Sequence, residues 1–523
     1  MKQVLAERHM AVSSHPAVTL TGVQVLAAGG NAIDATVAMA AMCWLALPSQ
    51  CGVGGDAFAV VRDPDGTVWT VGGSGFGPDG GTPEFYRPHG AVPVAGALSV
   101  AAPGAIAALE ALHARGATRS LAQLWAPAVA AAERGLPCTA KTRNDILDHE
   151  ARLRADAGAA TMLLREGRAP QIGERLPQPE LAATIRTLAD DPGALYRGAL
   201  AERAVGALVE AGAPFSGEEW SASGTALLGD AIAGRYGGLT VHETPLPTPG
   251  WMVLQQAALL DGSLGDLPWL GADAVGLLAG AATRAFADRF EHCGSDTDAW
   301  RALLEPDAIA PARATLGAPL TAVGLRPDGD TTSTVAVDAD GRAVSFIHSL
   351  AFTFGSKITV PGTGIMLNNR LGRGAYLIDG HPNEVRPRRR PMHTLNAWLV
   401  TDDAGRVVHV GNTPGGDGQI QWNMQLLSHL VDHEFAPQEA VSAPRFTVYP
   451  GSDADVIGQP AELRCEASLG EATLDGLRAA GHAVRVVGDG QAGGSALIVS
   501  ADHERGFLSG GADPRQDGVA LGG

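Results

Sequence analysis

Four times along the chain an apolar run of strand length meets an acidic, Gly-containing turn and is followed by a second apolar run ending in Gly or Ser. The units are Phe58 to Ser74 around Asp63-Pro64-Asp65-Gly66, Thr334 to Ser349 around Asp338-Ala339-Asp340-Gly341, Ala397 to Gly411 around Asp402-Asp403-Ala404-Gly405, and, less cleanly, Ala496 to Gly510 around Asp502 to Gly506. Alternating apolar runs joined by such turns predict β-hairpins. One hairpin lies near the N-terminus and three lie in the last third, so strands far apart in sequence must assemble into antiparallel sheets.

Between about residues 105 and 290 the apolar spacing changes to three and four, with charged residues on the opposite face, which predicts helices. Ala105 to Ala114, Leu121 to Arg134, Glu180 to Ala189 and Leu200 to Ala211 read this way, and Pro249 precedes another helix at Met252 to Leu260. Near the N-terminus, Gly29-Gly30 can end one helix and Asn31 can start the next. Ala35 to Leu47 is strongly apolar, but it is too short to span a bilayer and is bounded by Asp34 and Pro48, so it predicts a buried helix. Strand pairs plus segregated helices predict an α+β protein in which helix layers cover a sheet sandwich.

With 523 residues, the chain is long enough for two lobes or one large multilayer core. A hydrophobic share of 45% with 68 Gly favours close helix packing and many tight turns over disorder. The formal charge of −18 excludes a phosphate backbone or an anionic membrane as a natural partner, since either needs clustered Lys and Arg. The one basic cluster, Arg386 with Arg388-Arg389-Arg390, is short and local. Five Cys without a CxxC or His-rich partner spacing predict neither a disulfide framework nor a metal site. Met1 to Thr21 has no apolar core of a signal peptide, so a cytoplasmic protein is expected.

Three stretches carry candidate chemistry. Thr331 follows Gly329-Asp330 and opens the strand of the second hairpin; cut before Thr331, the chain would bear a nucleophilic hydroxyl beside a free α-amine. Such an amine titrates near ~7.7–8.0, low enough to serve as a base at neutral pH. Gly415-Gly416, within Gly411 to Gly418, can aim consecutive N–H groups at one point, as an oxyanion requires. His393, Thr394 and Asn396 are packed before a strand, and Arg370 and Arg373, beside Asn369, offer bidentate anchors for a carboxylate if they face a pocket. The Gly-rich Cys51 to Asp56 bend runs from helix to strand with no Lys after it, so it predicts close backbone packing rather than phosphate binding.

Gly29 to Ala35, Cys51 to Asp56, Ala102-Pro103-Gly104, Gly329 to Thr332, Phe354-Gly355, Gly362 to Asn369, Pro414 to Gly416, Ala443-Pro444-Arg445 and Asp513-Pro514-Arg515 together resemble the γ-glutamyltranspeptidase family, in order over nearly the whole chain. The resemblance implies a four-layer αββα N-terminal-nucleophile sandwich and a precursor cut between Asp330 and Thr331 into a large subunit, 1–330, and a small one, 331–523. It implies Thr331 as nucleophile and its freed amine as base. Gly415 and Gly416 would form the oxyanion hole, and Ser349 would stand in for a second Thr that bonds the nucleophile. No cofactor is implied.

The departures concern substrate. Where the family holds an α-amino acid with an Arg, an Asn, a Gln, an Asp and a Ser-Ser pair, this chain has Ser74, Ala351, Arg370, Arg373 and His393-Thr394. An Arg in place of an Asp repels a substrate ammonium. The resemblance is therefore closest to the acylase and oxamate amidohydrolase branch, with Asn369, Arg370, Arg373, His393, Thr394 and Ser74 as substrate-binding candidates. The expected activity is cleavage of an acyl amide whose acyl part carries a carboxylate, within a heterodimer made from one precursor. The alternatives are a true γ-glutamyl hydrolase or transferase, cleavage of an oxalyl-type carbon–carbon bond, and an unprocessed binding homologue.

Overall fold

The computed structural model describes residues 3–316, 331–451 and 458–523. Two seven-stranded antiparallel sheets dominate it. In the first, the order is Val519–Gly522, Met10–Ser13, Thr332–Val337, Ala343–Ser349, Asp56–Arg62, Val68–Gly73 and Leu227–Asp230. In the second, it is Val4–Ala6, Phe507–Ala512, Leu497–Asp502, Val407–Asn412, Trp398–Thr401, Leu239–Glu243 and Ile232–Tyr236.

The four hairpins predicted from alternation are all present, and their strands pair across great sequence distance: Ala343–Ser349 lies against Asp56–Arg62 with Ser349 opposite Asp56.

Alternation sorts the side chains into layers. In the first sheet Val335, Val337, Phe58, Val60 and Ile347 meet Leu399, Val410, Leu497 and Val499 of the second in an inter-sheet core. Their neighbours Ala336, Ala57, Ala59, Val61, Val344 and Phe346 face the other way, onto Pro16–Ala27, Ala32–Ala46, Ala105–Gly116 and Leu121–Arg134. The outer face of the second sheet, with Val241, Trp398, Val400 and Ile498, is covered by Gly250–Leu260, Ala272–His292 and Gly418–Val431. The result is the four-layer αββα stack. The apolar segment Ala32–Ala46 is buried at every residue, as predicted, and it starts with a capping box between Asn31 and Asp34. Among the described residues no helix is long and apolar enough to cross a membrane.

The stretch from 105 to 290 is not helical throughout. Leu227–Asp230, Ile232–Tyr236 and Leu239–Glu243 are edge or near-edge strands of the two main sheets, and Leu136–Pro137 pairs with Leu176 and Arg175. Ile232 to Glu243 turns at Gly237-Gly238, both at positive φ. That Gly pair between two five-residue runs is the hairpin signal the helical reading passed over.

Candidate active site

Thr331 immediately precedes the strand Thr332–Val337, which is central in the first sheet. Its Oγ1 donates to Ser349 Oγ at 3.0 Å, and Thr331 is only 2% exposed. Continuing the Thr332–His348 register by one residue sets Thr331 beside Ser349; Ser349 is paired with Asp56; continuing Ala57–Gly73 by one sets Ser74 beside Asp56. Thr331, Ser349, Asp56 and Ser74 thus form one row across four adjacent strands. Directly opposed residues share a face, and the parity of Val335, Ile347 and Phe58 makes it the inter-sheet face. Asp330 and the turn before it lie outside the described residues.

The second sheet supplies the glycine loop. Val407–Asn412 ends where Asn412 Nδ2 donates to Ser345 Oγ at 2.8 Å and Ser345 Oγ donates to Gly411 O at 2.8 Å, so the two sheets are bolted together just beneath it. Gly415 and Gly416 then take φ of 127° and 60°, conformations that disfavour side chains. A Cβ on Gly415 would lie 2.3 Å from the Trp422 ring. Among the described residues neither glycine N–H has a backbone or side-chain acceptor. Arg289 braces the loop: it pairs with Asp417 at 3.1 Å and donates to His393 O at 3.0 Å.

Arg370 and Arg373 lie on the short helix Arg370–Gly374 and are buried. Arg370 Nε contacts Asp56 Oδ2 at 3.2 Å. Burial pushes the Asp56 carboxyl up to about 6, against the pull of the Arg370 charge and nearby backbone groups. Arg373 donates to Ala351 O at 2.8 Å and lies over the Phe352 ring. Ala351 holds φ of 86°, a strained value for a residue with a Cβ, while its N–H donates to Ser349 Oγ at 2.8 Å. The Asn369 side-chain amide accepts from Phe352 N–H and donates to Val94 O.

His393 and Ser74 meet, with Nε2 and Oγ 2.8 Å apart, and the imidazole packs edge-on to Phe58. Burial, followed by the charges of Arg370, Arg289 and Arg373, holds His393 well below the usual imidazole value, so it is neutral at pH 7. Its Nδ1 and the buried Thr394 hydroxyl have no partner among the described residues. Asn396, the third polar residue of that stretch, instead donates to Glu243 and accepts from Asn423.

The remaining motifs build the scaffold. Asn368 donates to Gly54 O and Ala101 O, both at 2.9 Å, joining the Cys51 to Asp56 bend to the segment before Ala102-Pro103-Gly104. A Cβ on Gly54 would lie 2.2 Å from Met366 O and one on Gly55 2.4 Å from Ser349 O, the close backbone packing expected of the Cys51 to Asp56 bend. Arg445, Asp513, Arg515 and Glu466 form a buried chain of ion pairs at 2.6, 3.2 and 2.6 Å.

Sequence reasoning missed Asp56 as a site residue, together with Arg289. The only available signal for Asp56 was an acidic residue opening an otherwise apolar strand.

Two interlocked sheets between helix layers are the architecture of an N-terminal-nucleophile amidohydrolase. The chain belongs to the gamma-glutamyltranspeptidase family, whose sequence pattern matches residues 18–523. It is 32% identical to the glutathione hydrolase-like YwrD proenzyme of Bacillus subtilis, over 100% of this chain and 99% of that protein. It is also 32% identical to the oxamate amidohydrolase proenzyme of Klebsiella pneumoniae, over 98% of each. The crystal structure of a cephalosporin acylase from Bacillus halodurans superposes with a TM-score of 0.90 at 28% identity, covering 100% of this chain and 97% of that one.

Proposed function

We propose that the chain cleaves itself between Asp330 and Thr331 and then hydrolyses a small acyl amide whose acyl part carries a carboxylate. The freed Thr331 amine takes the hydroxyl proton while Oγ1 attacks the amide carbonyl. Gly415 and Gly416 N–H groups stabilise the oxyanion, the amine leaves with the proton, and water releases the acyl group from Thr331. Ser349 aligns the nucleophile, and Arg370 and Arg373 attract the acyl carboxylate, with His393, Thr394 and Ser74 beside it. Residues 1–330 and 331–523 remain together as a heterodimer. Five unbridged cysteines suit a reducing, cytoplasmic setting.

The observation that supports this most is the 3.0 Å hydroxyl pair of Thr331 and Ser349 at the end of a central strand. Two buried arginines and a neutral histidine support an anionic substrate end without an ammonium. The test is a screen of oxamate, succinamate, glutaramate and γ-glutamyl amides on the processed protein. A denaturing gel showing full-length protein that never divides would sink the reading. The glutathione hydrolase-like name of one relative keeps a γ-glutamyl substrate as the second reading; rapid release of p-nitroaniline from γ-glutamyl-p-nitroanilide would favour it.

A further inference from the structure

The Gly54-Gly55-Asp56 bend buries a carboxylate at the start of an apolar strand, with Asp56 and Arg370 both at 0% exposure. Burying such a pair is rarely more stabilising than apolar residues of the same volume, because desolvation offsets the attraction. Stability alone therefore gives a weak reason for it. The pair's location gives a stronger one. Asp56 stands in the row with Thr331, Ser349 and Ser74, and it grips Arg370 at Nε, 3.2 Å away and 314 residues along the chain. The Arg370 backbone is tied as well, since its N–H donates to Asn368 Oδ1 at 2.9 Å.

We propose that Asp56 is a positioning residue: by holding Nε it fixes the plane of the Arg370 guanidinium, and so decides how the site receives the carboxylate of its substrate. This rests on the reading above that Arg370 attracts that carboxylate. Bidentate recognition needs a guanidinium plane held at a set angle, and a side chain with several rotors does not keep one unaided.

The experiment compares the processed protein with its Asp56→Ala, Asp56→Asn and Asp56→Glu variants. The substrates are oxamate, succinamate and glutaramate, each beside its uncharged methyl ester. Asp56→Ala is expected to raise KM for the acids by about tenfold or more, with KM for the esters and kcat within about threefold. Asp56→Asn, whose amide oxygen still accepts from Nε, restores most of the loss. Asp56→Glu keeps the charges paired but displaces the guanidinium by one methylene; it raises KM for the acids selectively, and it decides the matter where Asp56→Ala fails to fold. Equal losses on acids and esters, or an Asp56→Glu variant with an unchanged acid-to-ester ratio, would overturn the proposal. A wild-type protein that does not prefer acids to esters overturns the substrate reading instead, and the two failures are distinct.

Discussion

Thr331 Oγ1 donates to Ser349 Oγ, which also accepts the N–H of Ala351, so the hydroxyl of one strand end is oriented by the turn that leaves the next strand. Thr331→Ala is expected to abolish both the division of the chain and turnover. Ser349→Ala removes one aligning hydrogen bond, worth about 1 kcal/mol, and slows turnover roughly fivefold. Gel analysis of fresh and aged protein, with steady-state kinetics, reads both effects.

Gly415 offers no room for a methyl group against Trp422, and its φ of 127° opposes any side chain. Gly415→Ala must turn the loop and misdirect its N–H. The expected outcome is a fall in kcat of roughly 10²–10³ with little change in KM, the signature of a lost oxyanion donor. A variant that binds substrate poorly but turns it over normally would contradict the assignment.

The Arg445–Asp513 pair at 2.6 Å is almost fully buried. Removing Arg445 leaves Asp513 with only the longer Arg515 contact at 3.2 Å, so Arg445→Ala is expected to lose up to about 3 kcal/mol of stability. Urea denaturation of the wild type and the variant measures it.

Glu243 is buried in full, and burial raises its carboxyl well above the usual value despite hydrogen bonds from Asn396 and the Thr244 backbone. A group with a raised folded value contributes stability that is fully present below its unfolded value, near ~4.5, and lost as pH rises toward the folded one. The stability advantage of wild type over Glu243→Gln should therefore shrink by up to about 1.4 kcal/mol per pH unit above that point. Denaturation curves at pH 5, 6, 7 and 8 test the slope; an advantage that grows with pH would refute it.

The hairpins were readable because each carries both a period of two and an acidic Gly turn within about fifteen residues. Ile232–Tyr236 and Leu239–Glu243 were missed because they are edge or near-edge strands with partly exposed faces, embedded among helices. Thr331, Ser349, Gly415 and Gly416 were named from local sequence and resemblance, and the structure sets Thr331 against Ser349. Arg370 and Arg373 are near neighbours in sequence, yet nothing local tells that Asp56 holds one and the Ala351 carbonyl accepts from the other. Such pairings join residues more than 300 positions apart or depend on one residue at positive φ, and neither follows from periodicity.

The strand Thr332–Val337 is hydrogen-bonded on one side to Met10–Ser13 and on the other to Ala343–Ser349, which in turn pairs with Asp56–Arg62. A cut before Thr331 would therefore sever the chain without removing a rung from this ladder. Each fragment would be an incomplete sheet whose missing strands belong to the other. Neither piece could be exchanged or diluted away while the protein stays folded, and the processed pair should melt in one cooperative transition.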